Sequence, residues 1–226
     1  MLRFCPQFLF LLPVSAMAPV TAHRIEDLIT LFDGLFSHSF NTRLVRGGDE
    51  PLYLPASKQI GPASKQIGPA GKQTAPAAMR IAPCDEQVPF NRVIFARGFF
   101  ASALHEIAHW CIAGPMRRQQ VDFGYWYAPD GRNAAQQNAF ERVEVRPQAL
   151  EWIFSRAAGC RFFISADNLG GEATNMDDFR QAVHRQVISY CHDGLPARAA
   201  QFREALSVFY GTKVILEANQ FQLDAL

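Results

Sequence analysis

An α+β fold, helix-rich with a small sheet, is what this sequence predicts, and three observations predict it. Apolar residues recur at helical spacing in several long stretches, extended candidates are short and few, and glycines and prolines punctuate the chain between them. Hydrophobic residues make up 49% of the 226 residues and charged residues 19%, enough for one domain with a real core. The formal net charge of +1 excludes nucleic-acid binding by bulk charge and leaves room only for a local basic patch.

The elements follow in order. Between Arg24 and Phe36, the residues Ile25, Leu28, Ile29, Phe32, Leu35 and Phe36 mark one face of an amphipathic helix. Gly47-Gly48 marks a turn, and Leu52-Tyr53-Leu54 is a short extended piece between prolines. Arg92 to Ala96 is a strand candidate. Gly98 then turns the chain into a helix from about Phe99 to Ala113, which Gly114-Pro115 ends. Phe123 to Tyr127 reads as extended, with a turn at Pro129-Asp130-Gly131. Asn133 to Val145 reads as a helix, and Pro147, which disfavours helix at Arg146 but suits a first turn, opens another that runs to Ala158. Two more helices are expected near Met176 to His192 and Ala199 to Tyr210.

Two segments stand apart. Residues 1–22 are signal-like: Arg3, an apolar run over Phe8 to Leu12, and Ala16-Met17-Ala18 as a small-x-small site. The run is short for a membrane span, so no stable membrane association is expected. Met17 offers an alternative start. Within 56–83, Ala-Ser-Lys-Gln-Ile-Gly-Pro occurs at Ala56 and again at Ala63, followed by Ala70-Gly-Lys-Gln-Thr-Ala-Pro76 and a decayed fourth unit. A proline closes every unit, which excludes a coiled coil, and too few apolar groups are present for a solenoid core. A flexible surface insertion in a catalytic domain spanning 23–226 is the expectation.

Five cysteines, none in a C-x-x-C pair, read as free thiols in a reducing compartment. The chemistry is carried by His105-Glu106-Ile107-Ala108-His109. Residues i and i+4 share a helix face, so His105 and His109 present two imidazole nitrogens to one ion. The surrounding helix is apolar: Phe99, Phe100, Leu104, Ile107, Trp110, Cys111, Ile112. Imidazoles and a carboxylate buried there need partners. A third ligand is expected from Phe140-Glu141-Arg142-Val143-Glu144-Val145, with Glu144 favoured because it sits between valines. Glu141 would then orient a histidine, and His184 is the alternative ligand. Asp122 and Asp130 are supporting candidates. Tyr125, Trp126 and Tyr127 suit a groove for a long cationic side chain, or a core strand. Arg117 and Arg118 offer docking charge or plain surface charge. With zinc, two histidines and a carboxylate make a hydrolase, Glu106 acting as general base on water; with ferrous iron they leave open positions for dioxygen and substrate.

Several blocks resemble the bacterial elongation factor P hydroxylase family. They are Phe99 to Gly114, Val121 to Tyr127 with Pro129 to Arg132, and Val143 to Trp152; Phe40 to Leu44, Glu50 to Pro55 and Pro89 to Arg92 match upstream. The resemblance covers about Arg24 to Pro55 and Val88 to Tyr210. It implies a metal-dependent protein hydroxylase with a fold that is not a jelly roll, with Fe(II) as the ion and dioxygen as co-substrate. The implied partner is elongation factor P carrying a β-lysylated lysine, with no direct contact to nucleic acid. His105 and His109 carry over as metal ligands, with Glu144 as the favoured carboxylate. Hydroxylation needs no general base, which leaves Glu106 to hold a water or an imidazole. Residues 1–22 and the repeats are departures from the family pattern, and the cytoplasmic partner favours Met17 as the start.

Overall fold

The computed structural model describes residues 22–56, 88–122, 132–165, 176–213 and 215–226. Five α-helices and a three-stranded sheet make up the described residues: α1 (Ile25–Phe36), β1 (Thr42–Arg46), β2 (Leu52–Leu54), β3 (Asn91–Phe95), α2 (Phe100–Ile112), α3 (Ala134–Ala158), α4 (Met176–Asp193) and α5 (Ala197–Tyr210). The α+β expectation holds. Phe123 to Tyr127, the turn after it and residues 57–87 of the repeat region lie outside the described residues.

The sheet runs β1-β3-β2, with β1 parallel and β2 antiparallel to the central β3. The sequence reading missed β1, whose five residues are too short and too charged for a period-two pattern to stand out. Its inward residues Thr42 and Leu44 are buried, while Arg43 and Arg46 face out. Gly47 closes the strand where a side chain does not fit: a Cβ would collide with the Ile94 methyl, and its N–H donates to the Phe95 carbonyl at 2.9 Å. On α1, Leu28, Phe32 and Phe36 point inward, and Phe32 and Phe36 stack against Trp110 of α2 with ring centroids 5.1 and 4.8 Å apart. That cluster fixes one flank of α2.

One expectation is corrected. Asn133 to Val145 and Pro147 to Ala158 are a single helix, α3, with Pro147 inside it. Proline in a helix interior costs about 3 kcal/mol. Beyond it, however, Leu150, Trp152, Ile153 and Phe154 are all buried, each contributing roughly 1.5–3 kcal/mol. Burial therefore outweighs the local penalty. The start of α3 is capped by a reciprocal pair: Gln136 N donates to Asn133 Oδ1, and Asn133 N to Gln136 Oε1. Its end is a left-handed Gly159, φ 71°.

No described helix is long and apolar enough to cross a membrane. Cys111, Cys160 and Cys191 are free, and Cys5 and Cys84 lie outside the described residues.

Candidate metal centre

Helix α2 carries His105 and His109 one turn apart, on the side that meets α3. Their Nε2 atoms lie 3.0 Å from one another. Glu144 comes up from α3 to meet them, its two oxygens 3.2 Å from His109 Nε2 and 3.4 Å from His105 Nε2. An ion with bonds of about 2.1 Å holds neighbouring donors about 3.0 Å apart at right angles and about 3.4 Å apart at tetrahedral angles. The spacing thus fits a small divalent ion bound by all three groups. It suits zinc and ferrous iron equally.

A second observation tests the fit. Glu144 is buried, and its Oε2 has no hydrogen-bond partner among the described residues. An ionised carboxylate oxygen left so in a protein interior is costly, and a cation removes the cost. The acid is held ionised: against its burial, the charge of His109 and a hydrogen bond to it, then His105 and Gln148, bring its pKa down to about 2.

His105 is the more strongly held imidazole. Its Nδ1–H donates to Glu151 Oε2 at 2.8 Å, which turns Nε2 toward Glu144 and His109. Burial opposes a charge on this ring. The hydrogen bond and charge of Glu151, with the charges of Glu144 and Glu106, outweigh it and raise the pKa to about 10. Without an ion, a proton on His105 balances the carboxylates.

Glu106 lies beside this cluster. It lines a small cavity of about 40 Å³ with His109, Tyr53, Trp110 and Asp122, and burial raises its pKa above the usual carboxylate value despite the two histidines. A larger cleft of about 540 Å³, lined by Phe40, Tyr53, Asn91 and Arg118, meets the small cavity at Tyr53 and Arg118. The larger opening does not include the histidines, so the polar cluster, rather than size, locates the chemistry.

The other expected residues fall elsewhere. Glu141 is buried one turn before Glu144 and accepts from Gln137 Nε2 at 3.1 Å; the carboxylate that reaches a histidine is Glu151. His184 approaches the Phe221 carbonyl at 3.2 Å and does not join the cluster. Asp122 pairs with Arg117 and bridges backbone to backbone with Tyr53. Arg118 donates to the Ala113 carbonyl at 2.6 Å, behind the C-terminus of α2. Tyr125, Trp126, Tyr127 and Asp130 lie outside the described residues.

The model of the elongation factor P hydroxylase family matches residues 31–68 and 72–221. The chain belongs to that family. It is similar to the elongation factor P lysine hydroxylase of Haemophilus influenzae, 46% identical over 204 residues, which is 90% of this chain and 99% of that protein. Within the elongation factor P hydroxylase family, this chain's histidine pair and Glu144 occupy the joint between α2 and α3, inside the matched region.

Proposed function

We propose that this protein is a metal-dependent hydroxylase that adds oxygen to the β-lysylated lysine of elongation factor P, with Fe(II) as its ion and dioxygen as co-substrate. The observation that carries the metal part is the donor set: two imidazole Nε2 atoms and one ionised, otherwise unpartnered carboxylate oxygen, with His109 also lining the small cavity. Two histidines and a carboxylate on one face leave the remaining positions of an ion free, and ferrous iron there supplies the one-electron chemistry that dioxygen requires. The name of the 46% identical relative supports a lysine of elongation factor P as the substrate.

The chain's own residues have separable tasks in this reading. His105, His109 and Glu144 hold the ion. Glu151 keeps the His105 ring turned toward it. Glu106, on the cavity wall beside His109, has room before it for one water-sized group and a carboxyl whose proton is held more tightly than usual. It orients such a group by hydrogen bonding. The cleft beyond Tyr53 gives an extended side chain a route from the surface. The substrate is a translation factor, so the place of action is the cytoplasm, without nucleic-acid contact or stable membrane association.

The test is the intact mass of β-lysylated elongation factor P after incubation with protein, ferrous iron, oxygen and a two-electron reductant such as ascorbate, since one atom of dioxygen enters the lysine and the other leaves as water. A gain of one oxygen atom is expected, and it is lost in Glu144→Ala. An unchanged mass under these conditions overturns the reading. A zinc hydrolase is the second reading, favoured by the position of Glu106 beside His109 in the cavity, where a general base on bound water belongs. Tightly bound zinc in the purified protein, with hydrolysis abolished in Glu106→Gln, would establish it instead.

A further inference from the structure

The face of α3 that carries Glu144 is polar along its whole length. Gln137, Glu141, Glu144, Gln148, Glu151 and Ser155 follow one another at alternating steps of four and three residues, which places them on one side of a helix, and every one is buried. A core face normally carries apolar groups at this spacing. Buried amides and carboxylates are kept only where each has a partner, and a seam of them fixes one arrangement of its neighbours. Glu144 is the member whose oxygen is left for an ion. Glu151 touches the donor set from behind.

Glu151 stands two turns after Glu144 and takes the Nδ1–H of His105 at 2.8 Å. This selects the tautomer whose Nε2 lone pair faces the ion, and it stops the ring from rotating away. Gln148 stands one turn after Glu144. Its Oε1 accepts from Ser165 N at 3.1 Å and its Nε2 donates to Ser165 O at 2.6 Å. The Ser165 N–H thereby sets which end of the amide is oxygen, and the two bonds tie this turn of α3 to the backbone at Ser165.

We propose that Glu151 is a positioning residue of the metal centre: it sets the tautomer and orientation of His105. The inference rests on the metal-binding reading above and extends it to a side chain that acts through a ligand rather than on the ion.

The probe is cobalt(II), whose visible absorption reports the geometry of its ligands, titrated into the full-length chain after chelator treatment. The unsubstituted protein is expected to bind it. Glu151→Ala is expected to weaken binding by about 10–100-fold and to alter the visible spectrum, with helical circular dichroism unchanged. Glu151→Gln keeps an acceptor for Nδ1–H and guards against a failure of the alanine variant to fold; it is expected to retain the wild-type spectrum with a smaller loss of affinity. A merely structural role lowers the melting temperature and leaves spectrum and affinity alone. A folded Glu151→Ala variant that binds cobalt within twofold of the unsubstituted chain, with the same spectrum, overturns the inference while leaving the metal reading intact. An unsubstituted chain that binds no cobalt overturns both.

Discussion

His105 is held by three carboxylates. Glu151 accepts from its Nδ1, Glu144 lies 3.4 Å from its Nε2, and Glu106 adds a charge from the next position in the chain. In the metal-free protein the ring is therefore protonated at neutral pH, with its pKa near 10, and an ion entering the site must displace that proton. Metal binding at pH 7.5 is expected to release about one proton, and apparent affinity to rise about tenfold per pH unit up to about pH 10. Calorimetric titration in two buffers of different ionisation enthalpy measures the release; equal heats in both would contradict it. The same shifts act on metal-free stability, with signs that follow from their directions. The raised pKa of His105 contributes stability that is full below 6.5 and is lost as pH rises through about 10. The lowered pKa of Glu144 contributes stability that is full above 4.5 and is lost as pH falls through about 2. Both contributions are whole between pH 4.5 and 6.5, so the melting temperature of chelator-treated protein is expected to be least sensitive to this pair there. At this scale the sequence was informative about donors, because histidine and glutamate flanked by apolar residues need partners. It was silent about partners of partners.

That silence has a cause at the level of the element. Reading Pro147 as a helix start divides α3 into two pieces, and the register that links Glu144 to Gln148 and Glu151 disappears across the break. Only in the continuous helix do these residues share a face. The retrievable signal was Glu151 itself, a lone charge in the run Ala149-Leu150-Glu151-Trp152-Ile153-Phe154, seven residues after Glu144. Helix α2 shows the complementary case, in which an element legible in sequence depends on a distant residue for its end. It has no side-chain cap at its N-terminus. Its C-terminal carbonyls are covered by Arg198 at the start of α5, whose Nη2 lies 2.9, 3.0 and 2.6 Å from the carbonyl oxygens of Trp110, Cys111 and Ala113. The same guanidinium stacks over the Trp110 ring, 4.7 Å from its centroid. A cation here also complements the helix dipole. Arg198→Ala is expected to lower stability by about 2–4 kcal/mol, from the lost hydrogen bonds and the lost ring contact together. Lysine restores charge without the planar fork and recovers only part of it. Urea unfolding measures both; a change below about 0.5 kcal/mol for the alanine variant would contradict this account.

Over the whole molecule, the site depends on contacts between segments far apart in sequence. α2 meets α3 at the donor set, α1 packs on α2 through Phe32, Phe36 and Trp110, and β3 leads directly into α2. The helices and the donors were legible because their periodicity is strong; β1 was not, because its place comes from pairing with β3, a partner 49 positions further along at Thr42↔Asn91. β2 and β3 are antiparallel neighbours on the same sheet, and residues 55–90 connect them. Ala56 N donates to Asn91 Oδ1 at 2.7 Å, which ties the beginning of that connection to the beginning of β3. For a passive insertion, the expectation for the repeats, length enters stability only through closure entropy, which grows as the logarithm of length. Removing two seven-residue units, Ala63 to Pro76, therefore changes the closure cost by only about 0.4 kcal/mol, in the stabilising direction. The shortened chain is expected to unfold within about 1 kcal/mol of the full one, to bind metal with unchanged affinity and to hydroxylate elongation factor P at the same rate. Urea unfolding, cobalt titration and the mass assay read these three quantities separately. A loss of rate with stability and metal affinity preserved would overturn the reading of the repeats as a passive insertion and assign them to docking of the substrate protein, through the lysines at positions 58, 65 and 72 that recur once per unit.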